Sequence, residues 1–253
     1  MLIGGYGETF HQIGEKLKKD AGWATRNAMK VGVGSCHISH YDAIPLTRHL
    51  MNKTSIEEFR LLDLGCGNAR YLVEFCKSVP KMKAWGVEPD RGGYNEAVKL
   101  VKENNLENRI NLSCCNAVDF FKGNNDFEPN FVVLGFVLHE ILAQEGEQGV
   151  IQFINQIIER FPDIHIIIIE VDDQINNPTV MGHGLSLAYY NPYYLLHYFT
   201  NQQLKPLSFW ENLFKQCNLD IIAKEFVNKE VDSTELEVGY LLKQRRKEDA
   251  TNY

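Results

Sequence analysis

The chain has 253 residues, the length of one large domain or two small ones, and its 44% apolar and 23% charged residues exclude a disordered, collagenous or low-complexity protein. Lysine and arginine total 26 against 33 aspartate and glutamate residues, a net charge of −7, and an acidic chain repels phosphate backbones, which argues against nucleic acid as a partner. The longest apolar run, 164–169, is broken by His165 and falls far short of the ~20 residues of a membrane span. No charged segment followed by an apolar one opens the chain, so no signal peptide is expected. The six cysteines form no CxxC pair and read as reduced, buried thiols. Cys114 and Cys115 are expected on opposite faces of a strand. Together these features predict a soluble, cytoplasmic protein with no membrane partner.

Residues 1–56 read as a helical cap, with apolar residues too sparse for strands. From residue 57 short apolar runs alternate with amphipathic stretches, as a parallel α/β sheet requires. Strands are predicted at 61–64, 83–87, 110–114, 131–135 and 164–171. Ile151, Ile154, Ile157, Ile158 and Phe161 stand at helical spacing and mark a crossover helix before the fifth strand. The region 172–207 breaks the alternation, and an insertion of this length at the carboxyl end of a sheet covers the ligand crevice there. A final helix at 208–217 precedes two strands, 221–226 and 237–243, joined by a polar loop too short for a crossover, so this pair must be antiparallel. Five alternating units and a hairpin make a seven-stranded domain over 57–253 with a lid at 172–207. The basic run 243–247 reads as a solvated tail.

Asp63-Leu64-Gly65-Cys66-Gly67-Asn68 follows the first strand and opens a helix. Its glycines let the backbone approach a ligand closely. A dinucleotide fingerprint would place a third glycine where Arg70 stands, and an acidic residue lies within the turn. Both departures disfavour a pyrophosphate and favour a cationic ligand. Glu88 ends the second strand, where a carboxylate can accept both ribose hydroxyls.

With Asn116-Ala117 after the third strand and the terminal hairpin, this pattern resembles the class I S-adenosylmethionine-dependent methyltransferases over about residues 57–245. The resemblance implies a Rossmann-like sheet of order 3-2-1-4-5-7-6 with an antiparallel last strand. It implies that Asp63, Gly65, Cys66 and Gly67 line the methionine moiety of S-adenosyl-L-methionine and that Glu88 holds the ribose. Asn116, Ala117 and Phe136 would border adenine.

Eight histidines are present, and position separates them. His139 is expected at the end of the fourth strand, where methyl donor and acceptor meet in this fold. His139-Glu140 is not a zinc-protease motif, because its second histidine would have to be Ala143. His183 lies between two glycines in the lid, His37 and His40 lie in the cap, and His197 follows a Tyr-Asn-Pro-Tyr-Tyr run. His11, His49 and His165 read as structural. Three imidazoles from different segments could hold a divalent metal with open positions, or His139 could act alone as a base.

The stretches 136–144, 182–187, 190–197 and 42–47 more closely resemble the α-keto acid C-methyltransferases, which methylate the carbon beside a keto group. That resemblance implies a divalent metal, zinc or similar, on His40, His139 and His183, with His37 or His197 as substitutes. It implies a 2-oxo acid substrate whose enolate the metal stabilises, and His37, His197 or Glu140 as the base. A homodimer is left open. Two rival readings stand beside it: a metal-free small-molecule O- or N-methyltransferase with His139 as base, and a non-catalytic S-adenosylmethionine-binding protein. A protein or nucleic-acid methyltransferase is disfavoured by the acidic charge and by the lack of an Asn/Asp-Pro-Pro-Tyr/Phe motif at 135–138.

Overall fold

A computed structural model describes residues 2–123 and 126–245. Arg246 and Lys247 of the basic run lie outside them. Three helices, α1 (Leu2–Lys16), α2 (Ala28–Ser39) and α3 (Ala43–Met51), precede the first strand. The α/β body follows as β1 (Arg60–Leu64), α4 (Arg70–Ser78), β2 (Lys83–Val87), α5 (Arg91–Glu103), β3 (Ile110–Ser113), α6 (Ala117–Lys122), β4 (Phe131–Gly135), α7 (Leu138–Arg160) and β5 (His165–Val171). Between β5 and the last helix lie α8 (Pro178–Met181), a π-helix (Ser186–Tyr190) and α9 (Asn191–Phe199). The chain closes with α10 (Leu207–Gln216), β6 (Leu219–Phe226) and β7 (Glu237–Gln244).

The seven strands form one sheet of order β3-β2-β1-β4-β5-β7-β6. The first five pair in parallel, and β7 runs antiparallel to both β5 and β6. Central strands buried on both faces explain the continuous apolar residues of β4 and the four successive isoleucines of β5. One face carries Leu61, Val133, Ile167, Ile169 and Leu241 against α3, α4 and α5. The other carries Leu62, Val132, Ile166, Ile168 and Val238 against α6, α7 and α10.

Three expectations change in the structure. The segment 43–51, read as cap, is a core helix: Ala43, Ile44, Leu46, Leu50 and Met51 are buried with the sheet. Close approach there requires Gly239 on β7, since a Cβ at that position would lie 2.8 Å from Leu50 Cδ1 and 3.0 Å from Leu46 Cδ2. The third strand stops at Ser113, so Cys114 and Cys115 lie in the connection to α6 instead of on opposite strand faces. His139 does not end β4 but sits in the first turn of α7, because Phe136 adopts a left-handed conformation (φ 59°) that turns the chain one residue after the strand. α7 itself kinks at Gly146, where φ is 73°. Among the described residues no helix is long and apolar enough to cross a membrane.

Candidate active site

All the candidate residues that converge do so at the carboxyl edge of the parallel strands, as expected for an open α/β sheet. On the β1–β2 side the amides of Gly65 and Cys66 donate to the Val87 carbonyl at 2.8 and 3.1 Å, folding the loop back over β2. Gly65 and Gly67 have φ of 86° and 54°, and a Cβ added to either would meet nothing within 4 Å. The loop is therefore left-handed at both glycines and open where a ligand would approach. Cys66 turns inward: its Sγ occupies the space that a side chain at Gly86 would fill, so only its backbone can serve a ligand.

Glu88 is buried and accepts from the Gly67 amide at 2.8 Å and the Asp90 amide at 2.7 Å. Two of the roughly four acceptor positions of its carboxylate remain for hydroxyls. Burial first, and the nearby Glu88 charge second, push the Asp63 carboxyl up to about 7. A cation placed beside it would reverse that shift. Asn116 caps α6, accepting from the Asp119 amide at 2.8 Å, and Ala117 begins that helix. Phe136 packs between the sheet core and the lid tyrosines. An electronegative, open-backed loop beside a carboxylate with free acceptor positions fits a sulfonium nucleoside.

On the β4–β5 side His139 is 1% exposed and its Nδ1 lies 2.8 Å from Glu170 Oε2. The other Glu170 oxygen accepts the amides of Leu138 and His139 at 3.0 and 3.3 Å, satisfying the start of α7. A carboxylate so placed can only accept, which puts the His139 proton on Nδ1 and leaves the Nε2 lone pair free. The His197 ring centroid is 5.2 Å from that of His139. Its Nδ1 lies 2.7 Å from the Tyr193 carbonyl, which likewise leaves Nε2. Burial, and secondarily the charge of His139, hold His197 well below the ordinary histidine range, so it is neutral.

The N-terminal segment reaches this centre. The Ala24 amide donates to the Phe199 carbonyl at 2.8 Å, tying the cap to the lid. Tyr6 of α1 places its ring 6.4 Å from His197. Arg26 pairs with Glu140 at 2.5 Å and reaches the Tyr6 hydroxyl at 3.4 Å. Glu140 also accepts from Gln202 at 2.8 Å, so this expected base is already engaged by two donors.

The other histidines are elsewhere. His37, His40 and His183 are exposed, and His183 Nδ1 accepts the Leu185 amide two residues on at 3.2 Å. Among the described residues no group of three His, Cys, Asp or Glu side chains is arranged to hold a metal. The set His40, His139 and His183 is therefore not assembled here. Tyr6, Arg26 and Glu170 escaped the sequence reading. Glu170 left one readable signal, a charged residue inside the apolar run of β5.

A family described as putative methyltransferase matches residues 57–133. A 2-ketoarginine methyltransferase of Streptomyces arginensis is 36% identical over 250 residues, covering 97% of this chain and 70% of its own length. Among solved structures, an O-methyltransferase family protein from Burkholderia thailandensis superposes with a TM-score of 0.64 at 14% identity, over 96% of this chain and 70% of its own. An O-methyltransferase from neocarzinostatin biosynthesis, solved with S-adenosylmethionine and 2-hydroxy-5-methyl naphthoic acid, gives 0.61 at 12% identity over 94% and 61%. An N,N-8-amino-8-demethyl-D-riboflavin dimethyltransferase from Streptomyces davawensis gives 0.57 at 15% identity over 74% and 50%, so the chain spans between half and two thirds of the length of these last two. The solved structures share the fold, and the sequence relative carries the kinship: the chain belongs to the S-adenosylmethionine-dependent methyltransferases, in the family that includes 2-ketoarginine methyltransferase.

Proposed function

We propose that this enzyme methylates C3 of a 2-oxo acid derived from an amino acid, with His139 as the base that removes the C3 proton. The observation that carries the base assignment is the buried His139–Glu170 pair at the edge of β4 and β5. The 36% identical relative, a 2-ketoarginine methyltransferase, supports the substrate class. The divalent metal implied by the resemblance enters no step below, because the residues expected to hold it do not converge.

S-adenosylmethionine supplies a methyl group on a sulfonium, an electrophile with a neutral leaving group. Asp63 and the Gly65–Gly67 backbone hold its cationic end, and Glu88 accepts from its ribose. His139 Nε2 takes the C3 proton, and the electron pair left behind delocalises onto the keto oxygen as an enolate. Glu170 keeps the imidazole in the competent tautomer and stabilises the imidazolium that forms. Neutral His197 beside it adds no second positive charge. The enolate carbon then bonds to the methyl as the carbon–sulfur bond breaks, the pair staying on sulfur, and His139 returns its proton to water. Burial of the pair strengthens each of these electrostatic effects over its value in water.

Product analysis tests the reading. Incubation with a panel of 2-oxo acids should give a product whose new methyl lies on C3 by NMR. In D₂O without methyl donor, C3 deuterium exchange should be catalysed by the wild type and lost in His139→Ala. A methyl on oxygen would reject C-methylation and favour the O-methyltransferase for which the same pair could serve as base.

A further inference from the structure

The lid and the hairpin enclose a second polar group that the methyl-transfer centre does not use. Glu237 opens β7 opposite Val171, one residue beyond Glu170 on β5, so it stands at the same sheet edge but on the opposite face. It is 5% exposed, and its Oε1 has no hydrogen-bond partner. The charges acting on it, from Asp42 and Asp232, are both negative, and its side chain hydrogen-bonds Asp42, a carboxyl pair that needs a shared proton while no cation is present. Asp232 is fully used: it accepts the Leu236 and Glu237 amides at 2.9 Å each and the Tyr190 hydroxyl at 2.9 Å. Asp42, 7% exposed at the start of α3, caps its own helix through the Ala43 amide.

Leaving a buried carboxyl oxygen unsatisfied among like charges is costly in an empty protein. Burial, then Asp42, then Asp232 push the Glu237 carboxyl well above its ordinary range. Tyr193 spans the gap between the two polar groups. Its ring stacks 3.7 Å from His197, and both Glu170 and Glu237 act on its hydroxyl. Tyr189 lies 5.9 Å from Tyr193, within the influence of Glu237 and Asp42. Neither the Tyr189 nor the Tyr193 hydroxyl has a hydrogen-bond partner among the described residues.

We infer that Glu237, assisted by Asp42, is the counter-charge for a cationic side chain on the acceptor, a guanidinium or ammonium group at the end opposite the reacting carbon. This rests on the 2-oxo acid reading. The reacting carbon would lie at His139, the Tyr189 and Tyr193 rings would face the aliphatic middle, and Glu237 the cation. A guanidinium presents several donors in a plane and would satisfy the orphan oxygen directly.

Two acids of nearly equal shape test it: 5-guanidino-2-oxopentanoate, which is cationic, and 5-ureido-2-oxopentanoate, which is neutral. Calorimetry with protein loaded with S-adenosylhomocysteine should show the guanidino acid binding about 10²-fold more tightly, the scale of a buried charge-assisted hydrogen bond. Glu237→Gln keeps the shape and should erase most of that preference while S-adenosylhomocysteine affinity stays within threefold. Asp42→Asn should reduce it by a smaller factor. Equal affinity of the wild type for both acids would overturn the assignment, as would a preference unchanged in Glu237→Gln. Turnover is read separately. A preserved binding preference with no C3 methylation would sink the proposed reaction and leave the cation site standing. C3 methylation of both acids at equal kcat/KM would do the reverse.

Discussion

His139 Nδ1 and Glu170 Oε2 are 2.8 Å apart in a site almost closed to solvent, and the second oxygen of the same carboxylate holds the first amides of α7. One side chain on β5 therefore fixes both the direction of the helix that carries the base and the tautomer of the base. The coupling separates two effects that mutation can tell apart. His139→Ala should lower kcat by about 10²–10⁴-fold with S-adenosylmethionine affinity changed only several-fold, because Asp63 and Glu88, the groups expected to hold the methyl donor, are left in place. Glu170→Gln can still receive the α7 amides but cannot balance an imidazolium. It should keep the fold and lower kcat. Glu170→Ala leaves a buried imidazole and two amides unpaired and should destabilise the protein by about 3–5 kcal/mol in urea unfolding. A Glu170→Gln enzyme with wild-type kcat would reduce the pair to a structural contact.

The exposed histidines give a second prediction. His40 and His183 lie on the surface, and His183 is occupied by its own loop. His40→Ala and His183→Ala should stay within a few-fold of wild-type turnover, while His197→Ala, which opens the wall beside His139, should lose at least tenfold. If instead both surface variants lose turnover together with bound metal, measured by elemental analysis, a three-histidine metal site forms and the reading of His139 as a lone base is wrong.

How far the sequence could be read follows the range of the interactions involved. The strands were legible because short apolar runs alternate with amphipathic stretches, and the Asp63–Gly67 loop because its neighbours in space are its neighbours in sequence, while the order of the strands came from the family resemblance. The centre at His139 was only half legible. Glu170 is 31 residues away in the chain and Arg26 is 114 residues from Glu140, so neither pairing leaves a local pattern. The grouping of His40 with His139 and His183 came from resemblance, and α2 and the lid loop hold two of the three on the surface. Helix α3 was read only as part of the helical cap, for a simpler reason. Its apolar residues, Ala43, Ile44, Leu46, Leu50 and Met51, do not say which surface covers them, and the room they find on the sheet comes from Gly239 on a distant strand.

Asp232 supplies a third prediction, on stability. It is 3% exposed and gathers the amides of Thr234, Leu236 and Glu237 and the hydroxyl of Tyr190 from the lid. Asp232→Ala would leave several buried donors unsatisfied, at about 1–3 kcal/mol each. Urea unfolding should show a loss of several kcal/mol. Because Asp232 orients the backbone of Glu237, limited proteolysis should cut first in the lid or in the 228–234 loop. Unaltered stability would show that the hairpin holds itself without this carboxylate.

The last prediction concerns Asp63, whose carboxyl is raised to about 7 by burial and by Glu88. In the unfolded chain an aspartate titrates near ~3.9, so between roughly pH 4 and pH 7 the folded protein binds a proton that the unfolded one does not. This group therefore stabilises the fold most below about pH 4, and its contribution is lost as pH rises to about 7. Methyl-donor binding should run the other way. A sulfonium or ammonium beside Asp63 favours the ionised carboxylate, so the Kd for S-adenosylmethionine should rise about tenfold for each pH unit below 7 and level off above it. Asp63→Asn should bind more weakly at pH 7.5 and with a flat profile between pH 5.5 and 7.5, measured by calorimetry. The same variant should also lose the fall in stability over that range, because asparagine has no proton to exchange. A wild-type Kd independent of pH across this window would mean that Asp63 does not face the cationic end of the methyl donor, whatever its place in the loop.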